Sequence, residues 1–299
     1  MKNNTPKHFA LQLGSLISLY LSLSFLLVLL FGVINLLFPD AADMQYMVES
    51  ASDSVRFGIA MVVVAFPTYL ILTRLINITR RNDTHEQYLT LTKWLIYLSL
   101  IVAIGALLVD LVTVVYTLLQ GEITSRFICK ALAVLVIIGA GVFYYILDAR
   151  GYWLKNEQKS VWFALAATAV VITSLGLGIM QIDTPAVVRE QKLDAKQISD
   201  LQNIQYKIQE AMVTSSGTLP TSLETAFGAF PIPTAPEGRA AYRYEVTETG
   251  FNLCATFAEP MKSDVQFTAP LVNKEAIIIN PDDWQYKVGD FCFTRIIRK

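Results

Sequence analysis

Five long apolar runs separated by short polar connections fill the chain as far as Met180. They lie at about Phe9–Phe38, Val55–Ile76, Trp94–Leu119, Phe127–Leu147 and Val161–Met180, and each is near the roughly 20 residues that a helix needs to cross a hydrocarbon core. A buried or re-entrant helix is the alternative for any one of them. The short turn Gln120–Arg126 makes the third and fourth runs an antiparallel helical hairpin. After a break at Asp183, Thr184 and Pro185 the pattern changes. Ile198, Leu201, Ile204, Ile208 and Met212 recur every three or four residues, with Asp200, Lys207 and Glu210 off that stripe, as in a helix lying on a sheet. Ser215, Ser216, Gly217 and Pro220 end it. Thr221 or Ser222 caps a short further turn with Glu224 nearby, and residues 228–239 form a loop rich in proline and glycine.

Period-two runs then predict strands at Ala241–Val246, Phe251–Phe257, Ala276–Ile279 and Phe291–Ile297, the first two joined by a hairpin turn at Thr247–Gly250. Phe251, Leu253, Ala255 and Phe257 share one strand face, as do Phe291 and Phe293. The predicted fold class is therefore a membrane all-α bundle of five transmembrane helices over residues 1–182. A small α+β domain, a long amphipathic helix packed on an antiparallel sheet, follows over residues 183–299.

Composition sharpens that division. The 299 residues are 54% hydrophobic and 16% charged, and the mean hydropathy is +0.45, too apolar for one ordinary soluble domain. Lys and Arg number 12 in residues 1–182 and 12 in residues 183–299, where 15 acidic residues outnumber them. That last part has no basic surplus to attract a polyanion, so nucleic acid is not expected as a partner.

Loop charge sets the orientation. Lys2 and Lys7 precede the first run, which is too long for a cleaved signal and reads as a signal anchor. Arg74, Arg80, Arg81 and Lys93 lie between the second and third runs, and Arg150, Lys155 and Lys159 between the fourth and fifth. The opposite side carries Asp40, Asp43, Glu49 and Asp53, with Arg56, Arg126 and Lys130 at helix mouths. The expectation is a cytoplasmic N-terminus and an extracytoplasmic domain from residue 183 onward.

Chemistry-bearing residues are few. Asp110 is the ionisable group that stands out within a span; such a residue is costly unless paired and marks a candidate functional site. One reading pairs it with Lys130 to fasten the hairpin; the other makes it a proton or ion relay. Gly105, Gly139, Ala140 and Gly141 fit close helix packing, and Tyr116, Tyr144, Tyr145, Tyr152 and Trp153 fall near predicted interfaces. No phosphate-cradling glycine loop is present. His85-Glu86 lacks the second histidine of a zinc-protease motif, and Asp110 lacks the second aspartate of an intramembrane protease. The triplet Asn77-Ile78-Thr79 matches a glycosylation acceptor but falls on the predicted cytoplasmic side. Residues 183–299 contain no histidine, which removes His-based nucleophile activation and most zinc sites. Asp282, Asp283 and Asp290 are either solvated loop acids or calcium ligands without EF-hand spacing. Cys254 and Cys292 point to the same sheet face in a domain expected outside the cytosol, which predicts a disulfide rather than two free thiols. Closing a loop of about 38 residues stabilises by roughly 3–4 kcal/mol in the chain-entropy model. Cys129 is a packing residue of a span.

Two resemblances enter at particular residues. The run from Asp194 through Ile198 and Asp200 to Gln205, followed by Gly217-Thr-Leu-Pro220-Thr-Ser-Leu223, resembles the helix-to-sheet passage of type IV pilins and type II secretion pseudopilins over about 30 residues. It implies a pilin-like fold. Assembly into a pilus is not implied, because the apolar helix here is the fifth span and no Gly-Phe cleavage site precedes it. Ile34 to Asp40, Arg56 to Ala60, Ala65-Phe66-Pro67 and Tyr144 to Asp148 resemble a family of small bacterial polytopic membrane proteins known only as a domain of unknown function. Members carry a similar tail with the features Leu253-Cys254-Ala255 and Trp284, Gly289, Cys292 and Phe293. That resemblance implies a bacterial inner membrane and no activity.

The functional expectation is a non-enzymatic integral membrane protein, without cofactor or metal. It presents an extracytoplasmic domain to an envelope protein or ligand, with the lipid bilayer as its other partner. The alternative is a small transporter or channel component working through Asp110.

Overall fold

A computed structural model describes residues 5–39, 45–82, 86–120, 124–215, 217–261, 278–279 and 283–297. The chain folds as two compact units, Met1–Ile182 and Asp183–Lys299.

The first unit is helical: α1 (Thr5–Leu37), α2 (Gln45–Asn82), α3 (Glu86–Gln120), α4 (Ser125–Ala149), the short α5 (Tyr152–Lys155) and α6 (Glu157–Gln181). Five of these are long and apolar enough to cross a membrane. Their ends obey local chemistry. Thr124 caps α4 by accepting from the Phe127 N–H. Gly151, at φ 68°, closes the same helix by donating its N–H to the Asp148 carbonyl, in the left-handed conformation that glycine adopts without a side-chain penalty.

Helix α1 is the centre of the unit. Leu26, Leu29 and Val33 pack with Val55 and Val62 of α2, Ile137 of α4 and Val171 of α6. The glycines that permit this are not the ones expected from sequence. A Cβ on Gly58 would stand 3.0 Å from the Leu29 backbone, and one on Gly32 3.0 Å from the Ala51 carbonyl oxygen. A Cβ on Gly178 would meet the Leu29 side chain at 2.8 Å. Gly105 and Gly139 face nothing within 4 Å, and Gly141 has only ordinary contact with Leu23 at 3.7 Å. Small residues matter where backbones approach, and that approach is made by α1 and α2 rather than α3 and α4.

The second unit begins with α7 (Pro185–Thr214), where Thr184 caps and Pro185 supplies the first helical position, its missing N–H being needless there. The short α8 (Leu223–Phe227) is capped by Ser222. The sheet contains β1 (Arg243–Thr247), β2 (Gly250–Phe257), the two-residue β3 (Ile278–Ile279) and β4 (Gly289–Ile297) in antiparallel order β1-β2-β4-β3. Residues 276 and 277 of the third strand candidate lie outside the described residues. Thr247 pairs with Gly250 across the expected hairpin turn, and a side chain on Gly250 would collide with the Arg295 carbonyl. Leu201, Ile204, Ile208 and Met212 of α7 are buried against Phe251, Leu253 and Phe257 of β2, Phe293 of β4, Trp284 and Phe227. Each such side chain contributes roughly 1.5–3 kcal/mol by leaving water.

Candidate functional site

The two sequence-predicted pairs fare differently. Cys254 and Cys292 occupy directly paired positions on β2 and β4, with Cα atoms 4.0 Å apart, and form a disulfide. Cys129 is a free, half-buried thiol on α4. Asp110 and Lys130 are not joined. Among the described residues Asp110 makes no ion pair, and the Lys130 ammonium lies over the Phe31 ring, 5.8 Å from its centroid. The hairpin explains why. Asp110 stands ten residues before the end of α3 and Lys130 five after the start of α4, which offsets them by about 7 Å along antiparallel axes at 1.5 Å per residue. Asp110 lies on the less exposed side of α3. Ile96, Ser99, Ala103, Leu107, Asp110 and Val114 are among the less exposed positions of α3, and they recur every three or four residues as one stripe.

The polar site that sequence reasoning missed is assembled from four helices at the end of the unit that carries the α1 N-terminus. Gln12 and Ser15 come from α1, Thr73 and Asn77 from α2, Ser99 from α3, and Tyr144, Tyr145 and Asp148 from α4. Together with Leu16, Ile76 and Ile96 they line a cavity of about 60 Å³. Gln12, Ser15, Ser99 and Asp148 are all buried. The Ser15 and Thr73 hydroxyls are bonded to each other at 3.0 Å. The polar line continues deeper along α1, where the Ser18 hydroxyl donates to the Gly14 carbonyl and the Ser22 hydroxyl to the Ser18 carbonyl.

Asn77, dismissed as part of a chance glycosylation match, lines the chamber. Tyr144 and Trp153, expected near an interface, pack against each other. Both are buried, their rings stack 5.2 Å apart, and the Trp153 indole N–H donates to the Tyr144 carbonyl at 2.9 Å. Gly151 turns the chain so that Trp153 folds back onto α4, where Phe163 of α6 completes the cluster. Tyr116, by contrast, is exposed.

In the second unit the buried polar groups are fasteners. The Asp194 carboxylate is fully buried and accepts from Arg239 at 2.7 Å, from the Glu259 N–H at 2.9 Å and from the Ala258 N–H at 3.1 Å. It thereby ties α7 to the end of β2 and to the loop before β1. Asp200, off the apolar stripe of α7, is buried: Tyr242 donates to it at 2.9 Å and Lys196 at 2.6 Å. Burial of the Tyr242 phenol, then its bond to Asp200, drives its pKa well above the usual phenol range. Arg295 lies over the Trp284 ring and donates to Gln205 and to the Asp283 carbonyl. Of the calcium candidates, Asp290 accepts from Arg243 at 2.6 Å and Asp283 accepts from the Gln285 N–H at 3.2 Å, while Asp282 lies outside the described residues, as does His85. Among the described residues no three His, Cys, Asp or Glu side chains gather as a metal site.

Every chamber-lining residue from Gln12 to Tyr145 falls inside a single family match. Residues 8–145 match the model of a domain of unknown function, DUF5671. The DUF5671 stretch takes in all of α2 and α3 and most of α1 and α4, and ends three residues before Asp148. No curated protein and no solved structure matches the chain.

Proposed function

We propose that this is a multi-pass protein of a bacterial cytoplasmic membrane that displays residues 183–299 outside the cytosol as a pilin-like, non-enzymatic binding module. The observation that carries the reading is a disulfide-closed α+β unit, Cys254 to Cys292, following five helices of membrane-spanning length and composition. Disulfides persist in oxidising compartments. The helical unit turns large apolar side chains outward, among them Val64, Val112, Leu119, Trp162 and Met180, as a lipid-facing surface requires. The two arginines at the acidic helix mouths are engaged locally, Arg56 with Asp53 and Arg126 with the Phe38 carbonyl. The excess of basic residues at the opposite mouths supports a cytoplasmic N-terminus.

The test is photo-cross-linking in cells from positions on residues 183–299, beside complementation of a deletion strain. The proposal expects specific cross-links from that unit and no rescue by residues 1–182 alone. Rescue by residues 1–182 with no cross-link overturns it.

A second reading, a small transporter or channel component, is favoured by the position of Asp110 on the less exposed stripe of α3. Asp110→Asn in reconstituted vesicles tests it: an altered solute flux supports it, whereas unchanged flux with lowered stability removes it.

A further inference from the structure

The two cysteines of the disulfide differ in their surroundings. Cys254 on β2 is 1% exposed, whereas Cys292 on β4 is exposed. Both sit on the sheet face away from α7, because Phe251, Leu253, Ala255 and Phe257 turn the alternate positions of β2 into the core. β2 lies between β1 and β4, and Arg243 of β1 is the direct cross-strand neighbour of Cys254. The Arg243 guanidinium donates to Asp290 of β4 at 2.6 Å. Asp290 pairs with Thr256, two residues beyond Cys254 on the same face. Adjacent strands stand about 4.8 Å apart, so the arginine side chain spans two strand intervals and crosses β2 beside Cys254. Cys254 is thus left next to a cation. Cys292 stands two residues from the Asp290 carboxylate on an open stretch of β4, since β3 pairs with β4 only at Ile296 and Ile297.

Exchange at a disulfide requires access to one sulfur and a leaving thiol of low pKa. We propose that Cys254–Cys292 is a thiol–disulfide exchange site for a dithiol protein, attacked at Cys292 and releasing Cys254. The partner's thiolate attacks the Cys292 Sγ, forming a mixed disulfide, and the Cys254–Cys292 bond breaks with its electron pair on the Cys254 Sγ. Arg243 stabilises that thiolate; a guanidinium carries five N–H donors, enough to hold Asp290 and a thiolate together. The partner's second thiol, deprotonated to water, then attacks its own sulfur in the mixed disulfide. The partner leaves as a disulfide, Cys292 departs as a thiolate, and both protein thiolates take protons from water. Two electrons have passed to the protein. The β2–β4 ladder holds the two Cα atoms 4.0 Å apart, so the thiols stay neighbours and a disulfide oxidant reverses the reaction. The covalent closure of the second unit therefore follows the redox state of its partner. The inference adds a partner class to the binding module but needs only the disulfide, not an exterior placement of residues 183–299.

The experiment uses the purified, solubilised full chain with Cys129→Ala, so its outcome is independent of membrane orientation. The rate at which dithiothreitol reduces the disulfide of the folded protein is measured with Arg243, Arg243→Gln and Arg243→Lys. Arg243 and Asp290 are an exposed ion pair, which contributes little to stability, so these variants fold. The site predicts reduction without unfolding, slowed on the order of threefold to tenfold by Arg243→Gln and less by Arg243→Lys, which keeps the charge. A second measurement fixes the direction. In Cys292→Ser and Cys254→Ser chains the pH dependence of iodoacetamide alkylation gives the ionisation of each remaining thiol. Cys254 is expected to ionise at least about one pH unit below Cys292, a tenfold difference in thiolate, and Arg243→Gln is expected to erase that gap. A disulfide that resists dithiothreitol until the unit unfolds overturns the proposal. So does a reduction rate indifferent to Arg243→Gln, or a Cys292 thiol that ionises at or below the pH of Cys254. None of these results touches the exterior placement of residues 183–299, which labelling of intact cells tests separately.

Discussion

Asp194 and Arg239 meet 2.7 Å apart, with the carboxylate fully buried and the guanidinium nearly so. The same guanidinium nitrogen also reaches Glu190 at 2.8 Å, but Glu190 is substantially exposed. The two carboxylates therefore differ sharply in what their loss does.

Asp194→Ala strands a buried cation and frees the Ala258 and Glu259 N–H groups, and it is expected to destabilise the second unit by about 3–5 kcal/mol. Glu190→Ala removes a screened, exposed partner and costs less than about 1 kcal/mol. Proteolytic susceptibility of residues 183–299 in the detergent-solubilised protein checks both. A Glu190→Ala effect as large as that of Asp194→Ala contradicts this assignment.

Gly58→Leu drives a side chain into the Leu29 backbone and is expected to cost at least about 1–3 kcal/mol, the range for overpacking a filled core. Gly105→Leu, at a position with nothing within 4 Å, leaves stability nearly unchanged. The thermal aggregation midpoint of the solubilised protein measures the contrast.

Replacing Cys254 and Cys292 by serine releases the link across 38 residues. The loss expected from chain entropy is roughly 3–4 kcal/mol. Residues 183–299 of the variant then become sensitive to protease at lower temperature than the wild type, and reductant reproduces the shift in the wild type only.

Alkali weakens the second unit through its tyrosines. Burial raises the Tyr244 phenol from 10.0 to about 12, and burial, followed by the nearby Asp194 carboxylate, raises Tyr286 to about 12. A raised pKa means that the folded unit favours the protonated form. The stabilisation is whole below pH 10 and is lost as the pH rises from there through about 12. Tyrosinate absorbance recorded with unfolding should show these groups ionising only near or with the unfolding transition. Ionisation of all the tyrosines of the unit near pH 10 without unfolding contradicts the packing described.

The parts of the fold that were legible in the sequence are those that repeat along the chain. Ile198 to Met212 announce the buried face of α7 by their spacing, Thr247 to Gly250 announce the hairpin, and uninterrupted apolar length announces five helices. Cys254 and Cys292 were legible because strand parity placed both on one face. The polar interior was not. Gln12, Ser15, Asn77, Ser99 and Asp148 are single polar residues, widely separated in sequence, in helices of differing polarity, and only the way four helices meet brings them together. Asp194, Gln197 and Asp200 look solvated by type, and their burial follows from partners at Arg239, Thr256 and Tyr242, more than 40 residues away. Gly58 likewise gives no local sign that Leu29 lies against it. The pairing of Asp110 with Lys130 failed for a simpler reason, an axial offset that the residue numbers already contained.

The most direct measurement is labelling of intact cells with a membrane-impermeant maleimide, before and after reduction, in a Cys129→Ala background. The account predicts that Cys254 and Cys292 label from outside only after reduction, because they are bonded and extracytoplasmic. Labelling that requires permeabilised cells and no reductant would place residues 183–299 in the cytosol with free thiols, contradicting both the orientation and the disulfide-closed exterior module.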